Sequence, residues 1–261
     1  MKKIRILDKS FSKPISCLTA YSPSIANILD GKIDLILVGD SLGSTLYGMN
    51  NTQGVTMDMM KNHGVAVNKE IKKSIKVLDM PYKTYDNKFD AYRNAKILLN
   101  HCRPDLLKIE ISEKKLVILK HLVDKKVNVI SHIGVTPQSY KNFNKIKVLG
   151  KTNKEKQNLL KLAKESEILG AKAVLLECIT AVTAKLITEN ISIPTIGIGA
   201  SRYCDGQVLV FDDLINLSTN EKKPKFVKNY FNFNKIAGNV VKKYNQEVKL
   251  RKFPSTKFTY N

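Results

Sequence analysis

Eight short apolar segments recur along the chain, and most of them are far enough apart to leave room for a helix before the next one. A strand with one face in water alternates polar and apolar residues, but these segments are mostly apolar throughout. Strands that are buried on both faces have this character, and they belong to parallel sheets covered by helices. The segments are residues 15–20, 35–38, 75–78, 106–109, 127–130, 173–176, 195–198 and 208–211.

Apolar residues at spacings of three and four lie between most of these segments, as an amphipathic helix requires. Such patterns cover residues 57–67, 91–99, 116–123 and 159–169, and residues 225–248 would form the closing helix. The stretch 199–207 is an exception, because it leaves little room for a helix between the seventh and eighth strands. This alternation favours an α/β fold, most simply a single (β/α)8 TIM-type barrel.

The domain organisation follows from length and composition. A chain of 261 residues with 43% apolar content can bury one large core, which argues against intrinsic disorder. No linker separates a second domain. We therefore predict a single β/α barrel domain over residues 1–261, with a Lys-rich C-terminal tail from about residue 249.

The sequence also predicts where the protein works. No segment approaches the roughly 18 apolar residues that a membrane span needs, and no apolar stretch follows the basic start MKKIRILDKS as it would in a signal peptide. We expect no membrane partner and a cytoplasmic location. The cysteines are far apart, at Cys17, Cys102, Cys178 and Cys204, which predicts reduced, packed thiols without a zinc site or disulfides.

The net charge of +21 raises the question of a nucleic-acid partner. The basic residues are mostly lysines spread along predicted helices, and neither a recognition motif nor an Arg-rich, aromatic-interleaved cluster accompanies them. We therefore predict a solvated Lys-rich surface and no nucleic-acid binding. The same positive field would attract an anionic substrate.

Polar side chains follow five successive predicted strands. They are Asp40 and Ser41 after the second strand, Asp79 after the third, Lys108 and Glu110 at the end of the fourth, His132 after the fifth, and Glu177 after the sixth. Helix capping explains one or two such residues. Because the carboxyl ends of parallel barrel strands meet at one face, we expect these side chains to converge there.

This set suits chemistry on an anionic carbonyl compound. Asp40, Asp79 and Glu110 offer hard carboxylate oxygens, the ligands that Mg²⁺ prefers. Glu177 lies between apolar neighbours and is a candidate general base. Lys108 would supply a positive charge for a carboxylate or a developing enolate, although an ordinary ion pair between Lys108 and Glu110 is the alternative.

Nine sequence segments resemble, in the same order, those of the ketopantoate hydroxymethyltransferase (3-methyl-2-oxobutanoate hydroxymethyltransferase) family. They are LTAYS, LVGDSLG, VTMDMMKNH, DMPYKTY, LKIE, SHIGVTPQS, LLE, IPTIGIGA and CDGQVLVFDDL. The match runs from about residue 16 to residue 230. The resemblance implies a β/α barrel, which agrees with the strand count reached from the apolar segments, and a homo-oligomer, commonly a decamer.

The resemblance also implies a reaction and its residues. A hydroxymethyl group would pass from the co-substrate 5,10-methylenetetrahydrofolate to 3-methyl-2-oxobutanoate through a Mg-stabilised enolate, giving 2-dehydropantoate for pantothenate and coenzyme A biosynthesis. The Mg²⁺ ligands would be Asp40, Asp79 and Glu110. The 2-oxo acid would contact Asp40, Ser41, Asp79 and Lys108, and Glu177 would accept the proton. His132 would shape the pocket or form hydrogen bonds.

The chain departs from the family pattern at four places, which leave the predicted metal and base positions unchanged. Family glycines are replaced by Ile111 and Ser112, by Phe143 and Asn144, and by Ser201, and Ser22 stands where aspartate is usual.

Two alternative functions remain at this point. One is a related Mg-dependent 2-oxo acid lyase or mutase barrel of the phosphoenolpyruvate mutase and isocitrate lyase group. The other is a degenerate barrel retained as a basic binding protein.

Overall fold

Eight parallel strands form a closed barrel in the computed structural model, which describes residues 7–9, 13–142, 146–217 and 223–260. Each strand pairs with the next along the chain, and β8 pairs with β1. The strands are β1 Ile15–Thr19, β2 Leu35–Val38, β3 Ile75–Asp79, β4 Leu106–Glu110, β5 Val129–Gly134, β6 Ala173–Glu177, β7 Thr195–Ile198 and β8 Gly206–Leu209. The predicted (β/α)8 barrel is confirmed.

Helices connect the strands from β1 to β7. They are α1 Pro23–Leu29, α2 Leu42–Tyr47, α3 Met57–Asn68, α4 Lys88–Cys102, α5 Leu116–Asp124, α6 Asn153–Ile168 and α7 Ala181–Asn190. Within the described residues no helix lies between β7 and β8, as the short stretch 199–207 predicted. A 3₁₀ turn, Pro137–Ser139, follows β5.

The ends of two strands differ from the sequence prediction. β5 extends to Gly134, four residues beyond the predicted segment 127–130. The segment 208–211 spans the end of β8 and the start of helix α8, Phe211–Leu214, because its apolar run continues through both. β8 begins instead at Gly206, where a Cβ atom would lie 2.7 Å from the Ile15 carbonyl oxygen. Only glycine allows β8 to approach β1 this closely.

The barrel interior is packed with apolar side chains from alternate positions of the strands, since successive side chains point to opposite faces. The outward residues of β2 and β6 are also buried. Burying one Val, Leu or Ile side chain contributes about 1.5–3 kcal/mol, so this interior stabilises the barrel. Its strand residues are Ile15, Cys17, Leu35, Leu37, Ile75, Val77, Leu106, Ile130, Ala173, Leu175, Ile196 and Val208.

The chain divides into two compact units, Met1–Val210 and Phe211–Asn261. The first contains the barrel. The second contains α8 and helix α9, Phe233–Lys249, which starts eight residues later than the helix predicted at 225–248. Asn232 caps α9 by accepting a hydrogen bond from the Lys235 N–H at 3.2 Å. The single domain over residues 1–261 stays a prediction.

Other features of the sequence have structural outcomes. All four cysteines are free thiols, and Cys17, Cys102 and Cys204 are buried, as predicted. None of the helices in the described part of the chain has the length and apolar character to cross a membrane. The replaced glycine pair at Phe143 and Asn144 lies outside the described residues.

Candidate active site

Polar side chains replace apolar ones on the inner face of the barrel, at the carboxyl ends of β3 to β6. Side chains two positions apart on a strand share a face, so the alternation that fills the core also turns these residues inward. The replacements are Asp79 after Val77, Lys108 and Glu110 after Leu106, His132 after Ile130, and Glu177 after Leu175. The predicted convergence of these strand ends is therefore observed.

Asp40 and Ser41 join this group from the turn between β2 and α2. The Asp40 backbone N–H donates a hydrogen bond of 3.0 Å to Asp79 Oδ2. The Ser41 hydroxyl lies 2.7 Å from the Tyr21 hydroxyl. The end of β2 is thereby held beside the end of β3.

Lys108 and Asp79 form a buried ion pair, with 2.9 Å between Lys108 Nζ and Asp79 Oδ1. Burial opposes the charge on Lys108, but the Asp79 and Asp40 carboxylates outweigh it and raise the pKa of the ammonium. Burial raises the pKa of the Asp79 carboxyl to about 7, and Asp40 adds to the rise while Lys108 opposes it. The alternative pairing of Lys108 with Glu110 is not the ion pair that forms.

Glu110 is the third buried carboxyl group of this cluster. Burial raises its pKa well above the ordinary value, and the nearby Asp40 carboxylate adds to the rise. Negative charge on Asp40, Asp79 and Glu110 together is therefore unfavourable without a compensating cation.

Gln138 and Tyr85 connect these carboxylates, and the sequence analysis missed both. The Gln138 side-chain Nε2 donates to Asp40 Oδ2 at 2.8 Å, and its backbone N–H donates to Glu110 Oε1 at 3.0 Å. The Tyr85 hydroxyl donates to Gln138 Oε1. The two residues lie in the segments SHIGVTPQS and DMPYKTY, but neither carries a charge that would have marked it as part of a site.

His132 lies between Lys108 and the predicted base Glu177. Its Nδ1 is 3.3 Å from Lys108 Nζ, and its Nε2 is 3.1 Å from Glu177 Oε2. Burial lowers the pKa of His132, and Lys108 lowers it further. An ammonium group only donates, so Nδ1 accepts and the proton of the neutral ring lies on Nε2, toward Glu177.

Glu177 is more accessible than the other strand-end carboxylates. Its side chain is 18% exposed, compared with 5% for Glu110 and 2% for Asp79. A base that must reach a substrate at the barrel mouth needs such access.

The three predicted metal ligands are hard oxygen donors, which suit Mg²⁺ in chemistry and in charge. A bound dication would favour the charged carboxylates of Asp79 and Glu110, whose pKa values are raised by burial and by the nearby Asp40. In the part of the chain that the structure describes, no three His, Cys, Asp or Glu side chains are close enough together to hold an ion as they stand. Binding would therefore have to draw the three carboxylates closer.

The departures from the family pattern have local structural roles. Ser22 caps helix α1 by accepting a hydrogen bond from the Ile25 N–H at 3.4 Å, a role that aspartate also fills. Ile111 is buried directly after β4. Ser201 Oγ accepts from the Tyr203 N–H at 3.2 Å.

Comparison with known proteins identifies the family of this chain. The family model of ketopantoate hydroxymethyltransferase matches residues 2–256. The 3-methyl-2-oxobutanoate hydroxymethyltransferase of Pelagibacter ubique (strain HTCC1062) is 44% identical over 259 residues, which are 99% of this chain and 99% of that protein.

Solved structures with the same fold have much lower sequence identity. One is 2,3-dimethylmalate lyase of the PEP mutase/isocitrate lyase superfamily, with a TM-score of 0.60 and 11% identity over 99% of this chain and 91% of that chain. Another is phosphonopyruvate hydrolase in complex with oxalate and Mg²⁺, with a TM-score of 0.63 and 11% identity over 98% of this chain and 92% of that chain. These likenesses show the fold alone, whereas the family match covers almost the whole sequence. The chain belongs to the ketopantoate hydroxymethyltransferase family.

Proposed function

We propose that this protein transfers a hydroxymethyl group from 5,10-methylenetetrahydrofolate to 3-methyl-2-oxobutanoate, giving 2-dehydropantoate for pantothenate and coenzyme A biosynthesis. The name of the 44% identical relative supports this reaction. The observation that carries the proposal is the placement of one accessible carboxylate, Glu177, beside a buried group of carboxylates paired with a lysine.

Lys108 and Ser41 would bind the 2-oxo acid. Lys108 keeps its positive charge because Asp79 and Asp40 raise the pKa of its ammonium, and a fixed cation attracts the substrate carboxylate. Ser41 contributes a hydroxyl at the same end of the barrel. These groups, with Asp40 and Asp79, would hold the keto acid so that its C3 faces Glu177.

Glu177 would take the proton from C3, and the electron pair of that C–H bond would stay on the substrate. His132 Nε2 lies 3.1 Å from Glu177 Oε2, so its proton would orient the carboxylate for this step once the two side chains align. C3 then bonds to the methylene carbon of the folate as the bond from that carbon to N10 breaks, and N10 takes up the proton removed from C3. Water supplies the hydroxyl group as the remaining bond to N5 breaks, and tetrahydrofolate leaves with the second proton of the water on N5.

Asp40, Asp79 and Glu110 would hold Mg²⁺, which when bound supplies Lewis acidity toward the keto and carboxylate oxygens. The all-oxygen donor set supports this assignment. The Mg²⁺ in the phosphonopyruvate hydrolase complex supports it as an analogy from a protein of the same fold.

The two alternative functions have less support. A 2-oxo acid lyase or mutase is favoured only by fold likeness at 11% identity. A binding protein without activity would have no need for the accessible Glu177 beside His132.

Exchange of the C3 hydrogen with deuterium tests the first chemical step without folate. We expect the protein to exchange the C3 hydrogen of 3-methyl-2-oxobutanoate in D₂O, followed by proton NMR. Glu177→Gln keeps the shape of the side chain but cannot accept the proton, so exchange should slow by about 10²–10⁴-fold. Glu189→Gln on helix α7, where the side chain is 60% exposed, is the matched control and should exchange normally.

Binding of the keto acid should survive in Glu177→Gln, because Lys108 remains. Exchange at the wild-type rate in this variant would show that another residue is the base, and His132 would be the next candidate. Loss of both exchange and keto acid binding would make Glu177 a structural residue.

We also propose a cytoplasmic homo-oligomer, a decamer by family resemblance. An exposed apolar stripe on α9 supports an association between copies of this chain, because large exposed apolar patches usually mark interfaces. The stripe consists of Ile236, Val240, Val241, Tyr244 and Val248. Light scattering should give an oligomeric mass that falls in Val240→Glu, and a monomeric wild type would contradict the proposal.

A further inference from the structure

Gln138 forms hydrogen bonds to two of the predicted metal ligands, Asp40 and Glu110, and to the residue that follows the third. Its Nε2 donates to Asp40 Oδ2 at 2.8 Å and to the carbonyl oxygen of Met80, the residue after Asp79, at 3.0 Å. Its backbone N–H donates to Glu110 Oε1 at 3.0 Å. One residue of the turn after β5 thereby connects the carboxyl ends of β2, β3 and β4.

The orientation of the Gln138 amide is fixed by its neighbours. The Tyr85 hydroxyl donates to Oε1, so the Nε2 protons must face Asp40 and Met80. The same hydroxyl oxygen accepts from the Glu110 N–H at 3.2 Å, which leaves its proton for Gln138. Burial, together with Glu110, raises the pKa of Tyr85 well above the ordinary value and keeps that proton in place.

The backbone of Gln138 is held as firmly as its side chain. Its carbonyl oxygen accepts from Gln53 Nε2 at 2.8 Å. Gln138 is 2% exposed and Tyr85 is fully buried, so water does not compete for these bonds. A neutral amide held on every side is suited to orienting carboxylates.

We infer that Gln138, oriented by Tyr85, is a positioning residue that holds one oxygen of Asp40 and one of Glu110, so that the other oxygen of each is directed to the divalent cation. This inference rests on the proposed function, which assigns the cation to these carboxylates. A residue that orients ligands changes metal affinity without touching the ion, typically by about 10- to 100-fold.

Isothermal titration with Mg²⁺ tests the inference without relying on activity. Gln138→Met keeps the length of the side chain and removes the amide, and Tyr85→Phe removes only the hydroxyl. We expect each variant to weaken the Kd for Mg²⁺, with the loss in Gln138→Met about 10- to 100-fold. Because the two act through one chain of hydrogen bonds, the double variant should lose little more than Gln138→Met alone. Gln157→Met, an exposed position on α6, is the control and should bind normally.

Turnover at saturating Mg²⁺ separates positioning from other roles. We expect kcat of Gln138→Met to return close to the wild-type value once the ion is bound. A rate that saturating Mg²⁺ does not restore, with an unchanged Kd, would assign Gln138 to the substrate and overturn the inference. A lower melting temperature with an unchanged Kd would make its role structural, which also overturns it.

Failure of the inference and failure of the proposed function give different results. Wild-type protein that does not bind Mg²⁺ would overturn the metal site and this inference with it. Wild-type protein that binds Mg²⁺ while both variants bind equally well overturns the inference alone. Should Gln138→Met not fold, Tyr85→Phe carries the test, because it retains the aromatic ring.

Discussion

Asp79 is the residue on which the proposed metal site and the buried ion pair both depend. Asp79→Asn keeps the shape of the side chain and removes its charge, so Mg²⁺ binding should weaken and activity at low metal concentration should nearly vanish. The variant also leaves the Lys108 ammonium buried without its partner, which typically costs about 3–5 kcal/mol. Titration calorimetry and urea unfolding measure the two losses, and normal activity with unchanged Mg²⁺ dependence would exclude Asp79 as a ligand.

The stability of the protein should depend on pH because of the same residue, Asp79. Burial raises the pKa of the Asp79 carboxyl in the folded protein to about 7, from the ordinary value of 3.8. Unfolding therefore releases a proton between these values, and this group makes the metal-free protein less stable as the pH rises from 4 to 7. Urea unfolding in EDTA at pH 5 and pH 7 measures the slope for wild type and for Asp79→Asn. The same slope in both proteins would contradict the assignment.

Some residues of the candidate site can be predicted from the sequence, and others cannot. Asp79, Glu110 and Glu177 could be predicted because charged side chains interrupt apolar strands. Gln138 and Tyr85 could not, since an amide and a phenol are common in loops and only the closed barrel brings them beside Asp40 and Glu110.

At the scale of the element, the end of β5 depends on a glycine. Gly134 has φ +97, and a Cβ atom there would lie 2.4 Å from the Glu177 carbonyl oxygen. Gly134→Ala should therefore lower the free energy of unfolding by more than about 1 kcal/mol and reduce activity, because the clash falls on the end of β6 that carries the proposed base. Urea unfolding followed by far-UV circular dichroism measures the change.

Gly238 in α9 provides the matched control for that substitution. A Cβ atom at Gly238 meets nothing within 4 Å. Gly238→Ala should leave the protein equally stable or stabilise the helix by about 0.5–1 kcal/mol. An equal decrease in the free energy of unfolding in Gly134→Ala and Gly238→Ala would refute the specific role of Gly134.

The elements were predicted more reliably than their ends. Apolar runs identified all eight strands, because strands buried on both faces have few polar residues. The end of β8 was misplaced since Val208, Leu209 and Phe211 form one apolar run across a strand and a helix. The spacing of apolar residues cannot show where the strand ends and the helix begins in such a run. The close approach of Gly206 to Ile15 shows instead where β8 begins.

At the scale of the whole molecule, the order of strands around the barrel followed from the alternation in the sequence. The division of the chain into two units at Val210 could not be predicted, because no change of composition marks it. The exposure of the apolar residues on α9 could not be predicted either, because an amphipathic helix that buries its apolar face has the same spacing of residues.

The net charge of +21 permits a prediction about the whole surface. Binding to DNA or RNA should be independent of sequence and should weaken steeply with added salt, as counterion release requires. Filter binding at several salt concentrations measures this dependence. Tight, sequence-selective binding at physiological salt would contradict the enzyme-only account.

Formation of 2-dehydropantoate tests the central claim most directly. Purified protein is incubated with 3-methyl-2-oxobutanoate and 5,10-methylenetetrahydrofolate, with Mg²⁺, after chelation, and after Mg²⁺ is restored. We predict product with Mg²⁺, no product after chelation and recovery of product formation when the ion returns. In Glu177→Gln the rate of product formation should fall by about 10²–10⁴-fold. Absence of 2-dehydropantoate from the folded wild-type protein with both substrates and Mg²⁺ present would contradict the account.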